Sequence, residues 1–254
     1  MTDSQSINLP IEYLKEIPST STYLAQLCKA SKAQEFHTVI AENQTTGRGQ
    51  RGNSWESECG KNLTFSTVIY PTALEAKEQF HLSMVVAFAV IDALKTYTDG
   101  FTIKWPNDIY WKDKKIGGIL IENELEGKYI TQCIIGIGLN VNQQHFYSSA
   151  PNPISLYQIL GTEINRQELF YKILHGIMGG YLYLDTEYTQ AVPHIRNLYL
   201  KNLYRREGSY PYRDTQGKFL AKFHDIEPNG YLILEDEVGT LRRYAFKEVE
   251  FILP

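Results

Sequence analysis

One segment near the middle of the chain predicts a strand, a turn and a second strand, and it limits the possible folds most. Residues 101–105 alternate apolar with polar side chains, which is typical of a half-buried β-strand, and residues 116–121 form a second apolar run. Pro106 ends the first strand because proline lacks the N–H that a β-ladder needs. Asp108 is therefore expected at a strand end, and Lys115 at the start of the returning strand.

The same segment carries the residues of an anion-binding site. It places lysines, a carboxylate and the paired glycines Gly117 and Gly118 around one hairpin. Because glycine leaves the backbone uncovered, a ligand can approach the strand closely there. We interpret the segment as a site that binds an anion.

Length and charge limit the class of protein. The chain has 254 residues, 43% of them hydrophobic, which suffices for one or two domains with a sizeable core. Its net charge of -4 gives no basic field for non-specific nucleic-acid binding, so phosphate recognition must be local. Three separated cysteines without a C-x-x-C pair favour a reduced, cytoplasmic setting. We expect neither a secretion signal nor a membrane span.

Apolar periodicity predicts a mixed α+β fold with a small second module. Helices are predicted over residues 20–34 and 80–97, and strands over residues 11–16, 38–41, 62–70 and 129–141 in addition to the central segment. The pattern is helical again between residues 155 and 203, where one face carries the apolar residues Leu169, Ile173, Leu174 and Ile177. Glycines then punctuate short alternating runs in the last part of the chain. This pattern predicts a main domain at residues 1–203 and an all-β module at residues 204–254.

A second chemical feature is a glycine-rich loop with two arginines. Residues 47–52 read Gly-Arg-Gly-Gln-Arg-Gly, which formally satisfies the G-x-G-x-x-G pattern of dinucleotide-binding folds. That interpretation fails because no helix is predicted after the glycines, and the Lys-Ser or Lys-Thr of a P-loop is missing. We expect a flexible loop that wraps an anion through Arg48, Arg51 and backbone N–H groups, and that becomes ordered on binding.

Several of these features also have ordinary structural explanations. The hydroxyl-rich residues 19–22 are suited to capping the first helix, and the Gly-x-Gly at residues 136–138 is typical of tight packing at a strand end. Tryptophans beside strands are buried by default. The six histidines show no metal-ligand spacing, so we expect no dedicated metal site.

Five segments, taken in order, resemble the catalytic core of biotin-protein ligases. They are residues 19–22 (Ser-Thr-Ser-Thr), 44–52 (Gln-Thr-Thr-Gly-Arg-Gly-Gln-Arg-Gly), 104–108 (Lys-Trp-Pro-Asn-Asp), 115–120 (Lys-Ile-Gly-Gly-Ile-Leu) and 136–140 (Gly-Ile-Gly-Leu-Asn). The resemblance implies a class II synthetase-like α+β core, with a mixed sheet and flanking helices, and a C-terminal module like the family's SH3-like β-barrel.

The resemblance also implies a two-step reaction. Biotin and ATP would form biotinyl-5′-AMP and pyrophosphate, and a lysine of a biotin carboxyl carrier protein domain would then attack the acyl group. The implied ligands are biotin, ATP and Mg2+, and the implied partner is acetyl-CoA carboxylase or a related biotin-dependent carboxylase. A homodimer stays open.

Individual roles follow from the same resemblance. The catalytic candidates are Lys115, Arg48 and Asp108, where Asp108 would orient the incoming lysine or accept its proton, or would instead be a structural carboxylate. The implied biotin-binding residues are Ser19, Thr20, Ser21, Gln44, Gly47, Arg48, Lys115, Gly118, Gly136 and Gly138. The implied nucleotide-binding residues are Arg48, Gln50, Arg51, Trp55, Asn107, Lys115 and Asn140.

Two departures from the family pattern affect the expected properties. Gln50 stands where bacterial members commonly carry another arginine, so we expect the loop to retain the adenylate less tightly. Only ten residues precede the first predicted strand, which favours a monofunctional ligase without an N-terminal DNA-binding domain and without a nucleic-acid partner. The alternatives are a lipoate or octanoate ligase or transferase of related fold, and a noncatalytic module that binds an acidic protein.

Overall fold

A seven-stranded sheet forms the centre of the main domain in the computed structural model, which describes residues 9–147 and 152–253. Its strands are β1 (Ile11–Ile17), β2 (Thr38–Gln44), β3 (Leu63–Ile69), β4 (Phe101–Lys104), β5 (Asp108–Trp111), β6 (Lys114–Glu126) and β7 (Tyr129–Leu139). They lie in the order β1-β2-β3-β7-β6-β5-β4. Only β1 and β2 are parallel among these described neighbours, so the sheet is mixed, as predicted.

Helices cover both faces of this sheet. They are α1 (Thr20–Lys29), α2 (Phe80–Lys95), α3 (Leu156–Leu160), α4 (Arg166–Thr186) and α5 (Tyr188–Lys201). Helix α2 packs against α4 and α5 on one face, while α1 packs on β2, β3 and β7 from the other. Within the described ranges, no helix is long and apolar enough to cross a membrane.

The predicted apolar face of the long C-terminal helix is confirmed. Its four residues Leu169, Ile173, Leu174 and Ile177 are all fully buried in α4. Helix α2 is apolar almost all round, and it is sandwiched between the sheet and the other two helices, so it needs no polar face. The core therefore lies on the α2 side, and the α1 side is left for a site.

Two details of the predicted elements were wrong. Helix α1 ends at Lys29, because Ser31 has a left-handed φ of +55° and the N–H of Lys32 bonds back to the carbonyl of Leu27. The connection after Pro106 contains a further strand, β5, whose Ile109 and the following tyrosine are buried. The predicted helical character of residues 155–203 is confirmed, and this region consists of α3, α4 and α5.

A five-stranded antiparallel sheet forms the C-terminal module, as predicted. Its strands are β8 (Ser209–Asp214), β9 (Gly217–Ile226), β10 (Leu232–Asp236), β11 (Leu241–Tyr244) and β12 (Glu250–Phe251), in the order β11-β10-β9-β8-β12. The module joins the open edge of the main sheet at β4, where Ile103 bonds Asn202 and Tyr204 through backbone groups. The indole N–H of Trp105 donates to the carbonyl of Gly230 at 2.9 Å.

Candidate active site

A cavity of about 910 Å³ opens on the α1 side of the sheet. Its floor is the pair β6 and β7, in which Gly118 lies opposite Gly138 and Leu120 opposite Gly136. Because side chains alternate along a strand, these positions face the same side. The rest of the wall comes from the start of α1, the glycine-rich loop, the turn before β5 and the C-terminal module.

The floor glycines let an aromatic ring lie directly on the sheet. A β-carbon added at Gly138 would lie 2.7 Å from Trp55 Nε1, and one at Gly118 would lie 3.5 Å from the Trp55 ring. The distance at Gly138 is too short for a real β-carbon, whereas the distance at Gly118 is ordinary van der Waals contact. The Gly-x-Gly therefore serves close packing, as the simple explanation held, but the packing occurs inside the cavity. Within the described ranges, buried Trp55 Nε1 has no hydrogen-bond partner.

The predicted hydroxyl cluster lines one end of the cavity. Ser19, Thr20 and Ser21 are each less than 5% exposed. The Gln44 side-chain oxygen accepts from the N–H and hydroxyl of Thr20 at 2.8 and 3.1 Å, and the Thr20 hydroxyl also lies 2.8 Å from that of Ser66 on β3. These polar groups tolerate burial because they hydrogen-bond to one another.

The capping explanation for Ser19 is wrong in this structure. Ser19 stands at the N-cap position of α1, yet within the described chain its side chain makes no capping hydrogen bond. Its hydroxyl pairs with that of Ser21 at 3.1 Å instead. Both hydroxyls therefore retain hydrogen-bonding capacity toward the cavity.

Three charged side chains lie together where β4, β5 and β6 begin or end. Lys115 Nζ lies 2.7 Å from Asp108 Oδ1, and Lys104 Nζ lies 4.0 Å from Asp108 Oδ2. The predicted position of Asp108 at a strand end is confirmed, since it is the first residue of β5. One carboxylate thus contacts two cations, and the cluster keeps a net positive charge toward the cavity.

Lys104 is the most deeply placed of these cations. Its side chain is 17% exposed, and its ammonium lies 5.2 Å from the ring centre of Tyr110 and 5.0 Å from that of Phe251. Burial lowers the pKa of Lys104, and the nearby Asp108 carboxylate opposes that shift only in part. Lys104 therefore loses its charge at a lower pH than an exposed lysine does.

The glycine-rich loop forms a short hairpin. Gly49 N–H donates to the carbonyl of Asn53 at 2.7 Å, and Trp55 N–H donates to the carbonyl of Gly47 at 2.9 Å. Gly47 thus lies at the base of the hairpin, where a β-carbon would come 2.7 Å from the Trp55 carbonyl. The ordering of this loop on ligand binding stays a prediction, and the side chain of Arg51 lies outside the described structure.

Arg48 is engaged at the rim of the cavity. Its guanidinium donates to Glu122 at 2.5 Å and to the Thr22 hydroxyl at 3.2 Å. The two side chains of the ion pair are each about 40% exposed, at 45% for Arg48 and 39% for Glu122. Arg48 therefore connects the loop with both α1 and β6.

Among the described residues, some of those predicted to bind nucleotide have side-chain atoms without a hydrogen-bond partner, and others are already hydrogen-bonded. Among the described residues, no partner is found for buried Gln50 Oε1 or for buried Asn140 Oδ1, and both residues line the cavity. The side-chain NH2 of Asn107 donates to the carbonyl of Ile119, and the backbone carbonyl of Asn107 accepts from the N–H of Ile119. Asn107 thus holds the turn before β5 against β6, and its direct contact with a ligand stays a prediction.

Sequence reasoning missed four groups at this site. Ser66, Lys104 and the Glu122 partner of Arg48 were not among the candidate residues, and neither was the stretch of the C-terminal module, with Lys247 and Glu250, that closes one side of the cavity. A polar residue within the apolar β3 was the available signal for Ser66. Within the described chain, no group of three or more His, Cys, Asp or Glu residues is placed to hold a metal ion.

Comparison with known proteins assigns this chain to a protein family. Residues 13–140, half of the chain, match the biotin/lipoate A/B protein ligase family. The chain belongs to that family.

Two relatives and one solved structure are similar to this chain over most of its length. The bifunctional ligase/repressor BirA of Bacillus spizizenii is 30% identical over 243 residues, which is 92% of this chain and 71% of that protein. The biotin–[acetyl-CoA-carboxylase] ligase of Paracoccus denitrificans is 29% identical over 210 residues, covering 79% of this chain and 85% of that one. The biotin protein ligase of Aquifex aeolicus in complex with biotin and ATP superposes with a TM-score of 0.78 at 25% identity, covering 96% and 99% of the two chains.

Proposed function

We propose that this protein is an ATP-dependent biotin-[acetyl-CoA-carboxylase] ligase. It activates biotin with ATP to biotinyl-5′-AMP and transfers the biotinyl group to a lysine of a biotin carboxyl carrier protein. The observation that carries the proposal is the contact of Lys115 with Asp108 beside the glycine floor of the cavity. The names of its relatives, which are biotin ligases, support the same substrate.

In the first step, two anions must approach each other. The biotin carboxylate attacks the α-phosphorus of ATP, a carboxyl oxygen–phosphorus bond forms, and the bond to pyrophosphate breaks. Two unit charges about 4 Å apart repel by about 4 kcal/mol at an effective dielectric constant near 20. An ammonium has three donors, so Lys115 can hold Asp108 and still donate to the reacting oxygens. Lys104 adds positive charge from behind Asp108.

In the second step, an amine must reach the acyl carbon. The acceptor lysine attacks, AMP leaves with the electrons of the acyl–oxygen bond, and the amine nitrogen gives up a proton. Asp108 is partly exposed and lies between two lysines, so it can orient an incoming ammonium or accept its proton.

In this proposal, magnesium would enter the site bound to ATP. The described residues offer no ready metal-binding cluster, so the ion would reach the site held by the ATP phosphates, whose charge it would reduce. Beside the unpartnered indole N–H of Trp55, the side-chain oxygens of Gln50 and Asn140 remain free for the nucleotide among the described residues. Both stay candidates for contacts to the base, ribose or phosphate.

The proposed partner is the carrier domain of acetyl-CoA carboxylase or a related carboxylase. A cytoplasmic location fits three cysteines that are all free. Whether the protein forms a homodimer stays open, and sedimentation measures it. The absence of DNA binding stays an expectation, which operator-binding measurements test.

Incorporation of biotin into a purified carrier domain tests the function. With ATP and biotin, the mass of the carrier should increase by one biotinyl group, and a carrier whose acceptor lysine is replaced by arginine should stay unmodified. An excess of lipoate should not compete. Modification by lipoate instead would identify the lipoate ligase alternative, and modification by neither acid would favour a noncatalytic binding module.

A further inference from the structure

A row of floor positions on β6 continues from the cavity to its rim. Gly118, Leu120 and Glu122 alternate with residues on the other face, and across β7 they lie opposite Gly138, Gly136 and Ile134. The row spans about 13 Å at roughly 3.3 Å per residue. Glu122 therefore ends the same surface on which the site is built.

The glycine-rich loop covers both ends of this row. Trp55 lies on Gly118 and Gly138 at one end, and the Arg48 guanidinium reaches Glu122 at the other. Arg48 also donates to Thr22 in the first turn of α1, directly after the hydroxyl cluster. A ligand on Leu120 and Gly136 would be enclosed beneath the loop.

The negative charge of Glu122 at the rim of the cavity needs an explanation. The cavity has to accept two anionic substrates under the proposed function, and a carboxylate at its rim would repel them. Paired with Arg48, the carboxylate is neutralised and its effect on an incoming anion falls. Glu122 is thus suited to holding the loop and not to contacting the substrate.

We propose that Glu122 is a positioning residue that, with Thr22, anchors Arg48 and so holds the glycine-rich loop closed over the bound acyl-adenylate. This inference rests on the proposed function for the identity of the ligand. The ion pair is half exposed, so it is weak and readily broken. A weak anchor can open for substrate entry and still slow the loss of a reactive intermediate.

Two variants with a matched control test this anchor. Glu122→Gln removes the charge and Thr22→Val removes the second acceptor, whereas Glu124→Gln changes the same charge at an exposed position on the same face of β6. Thermal unfolding confirms that all three fold. The first readout is amide hydrogen exchange of residues 47–55 in the ligand-free protein, which requires no assumption about the substrate.

The second readout is the release rate of biotinyl-5′-AMP preformed from biotin and ATP. We expect both anchor variants to raise the exchange and release rates about three- to fivefold, and Glu124→Gln to match wild type. The dependence of the release rate on salt concentration is a third readout, which would not change if Glu122 had a purely structural role. The wild-type release rate should rise toward that of Glu122→Gln near 1 M salt, where the screening length is about 3 Å.

Two results would overturn the anchor. One is wild-type exchange and release in Glu122→Gln, and the other is equal acceleration by Glu124→Gln. Failure of the proposed function can be distinguished from failure of the anchor. In the first case, wild type would form no adenylate, and hydrogen exchange would still show whether Glu122 holds the glycine-rich loop.

Discussion

Lys104 determines how the charge of the site depends on pH. The residue lies behind Asp108, is largely buried, and has two aromatic rings around its ammonium. Burial lowers its pKa, so the cluster of two lysines and one carboxylate loses a positive charge earlier on the alkaline side than exposed lysines would. Adenylation needs that charge to offset the repulsion between its two anionic substrates.

We predict that Lys104→Arg extends adenylation activity to higher pH. Arginine keeps its charge throughout the accessible range, so the loss that wild type suffers as Lys104 deprotonates should disappear. Biotin-dependent pyrophosphate exchange measured against pH checks this. Lys114→Arg is the matched control, because Lys114 is exposed and begins β6, next to Lys115. An alkaline decline at the same pH in Lys104→Arg and wild type would contradict the prediction.

Part of the site could be predicted at the level of single residues. Lys115, Asp108 and the floor glycines carry local signals, because they stand at strand ends or in unusual residue pairs, whereas Gln44 was expected only from the family resemblance. Glu122 carries none, since its relevance arises from a partner 74 positions away that only the folded loop brings near. The position of a hydrogen-bond network across elements is a property of the fold and not of a short pattern.

At the scale of elements, we propose that the glycine-rich loop determines how well the adenylate intermediate is retained. Its hairpin holds Gln50 at the cavity with a buried side-chain oxygen that has no partner among the described residues. A neutral amide at this place contributes less to binding a phosphate than a guanidinium would. The Arg48 anchor at the rim adds to the same function.

We predict that Gln50→Arg slows the release of biotinyl-5′-AMP about tenfold, because a charge-assisted hydrogen bond is worth about 1.5 kcal/mol or more. A pulse of labelled biotin followed by an unlabelled chase measures the rate. Gln26→Arg adds the same charge at an exposed position of α1 and serves as the control. Release of biotinyl-5′-AMP from Gln50→Arg at the wild-type rate would contradict the expectation that Gln50 weakens retention of the adenylate.

The predicted elements show where sequence periodicity is informative. The buried face of α4 and the alternating strands were predicted because their apolar periods are clear. Strand β5 was missed because it is only four residues long and follows turn-forming residues. The end of α1 was missed because a left-handed serine, and not a glycine or proline, terminates it.

At the scale of the whole molecule, the C-terminal module is part of the site. It covers the edge strand β4, its Phe251 contacts the Lys104 ammonium, and its last residues close one side of the cavity. The composition of residues 204–254 predicted an all-β module but not its position. That position depends on a docking contact between Trp105 and Gly230, which are 125 residues apart.

We predict that Gly230→Ala impairs catalysis through this docking contact. Gly230 has a φ of +92°, and a β-carbon there would meet Phe80 at 2.8 Å. Overpacking of this size costs about 1–3 kcal/mol, so we expect the rate of adenylation at low ATP to fall about tenfold. Steady-state pyrophosphate exchange measures it.

Gly239→Ala is a close control for that experiment. Gly239 has a φ of +83° in the same module, but a β-carbon there has open space around it within the described structure. Both variants therefore carry the strain of a left-handed alanine, and only Gly230→Ala disturbs the docking. Equal activity of the two variants would show that the module's position does not matter for adenylation.

Biotin-dependent exchange of labelled pyrophosphate into ATP tests the central claim most directly, because it isolates acyl-adenylate formation from transfer. Wild type and Lys114→Ala should exchange, whereas Lys115→Ala should lose at least about a hundredfold in rate, since it removes the cation that contacts Asp108 inside the cavity. Exchange by Lys115→Ala at the wild-type rate, or none by wild type with biotin, would contradict the account.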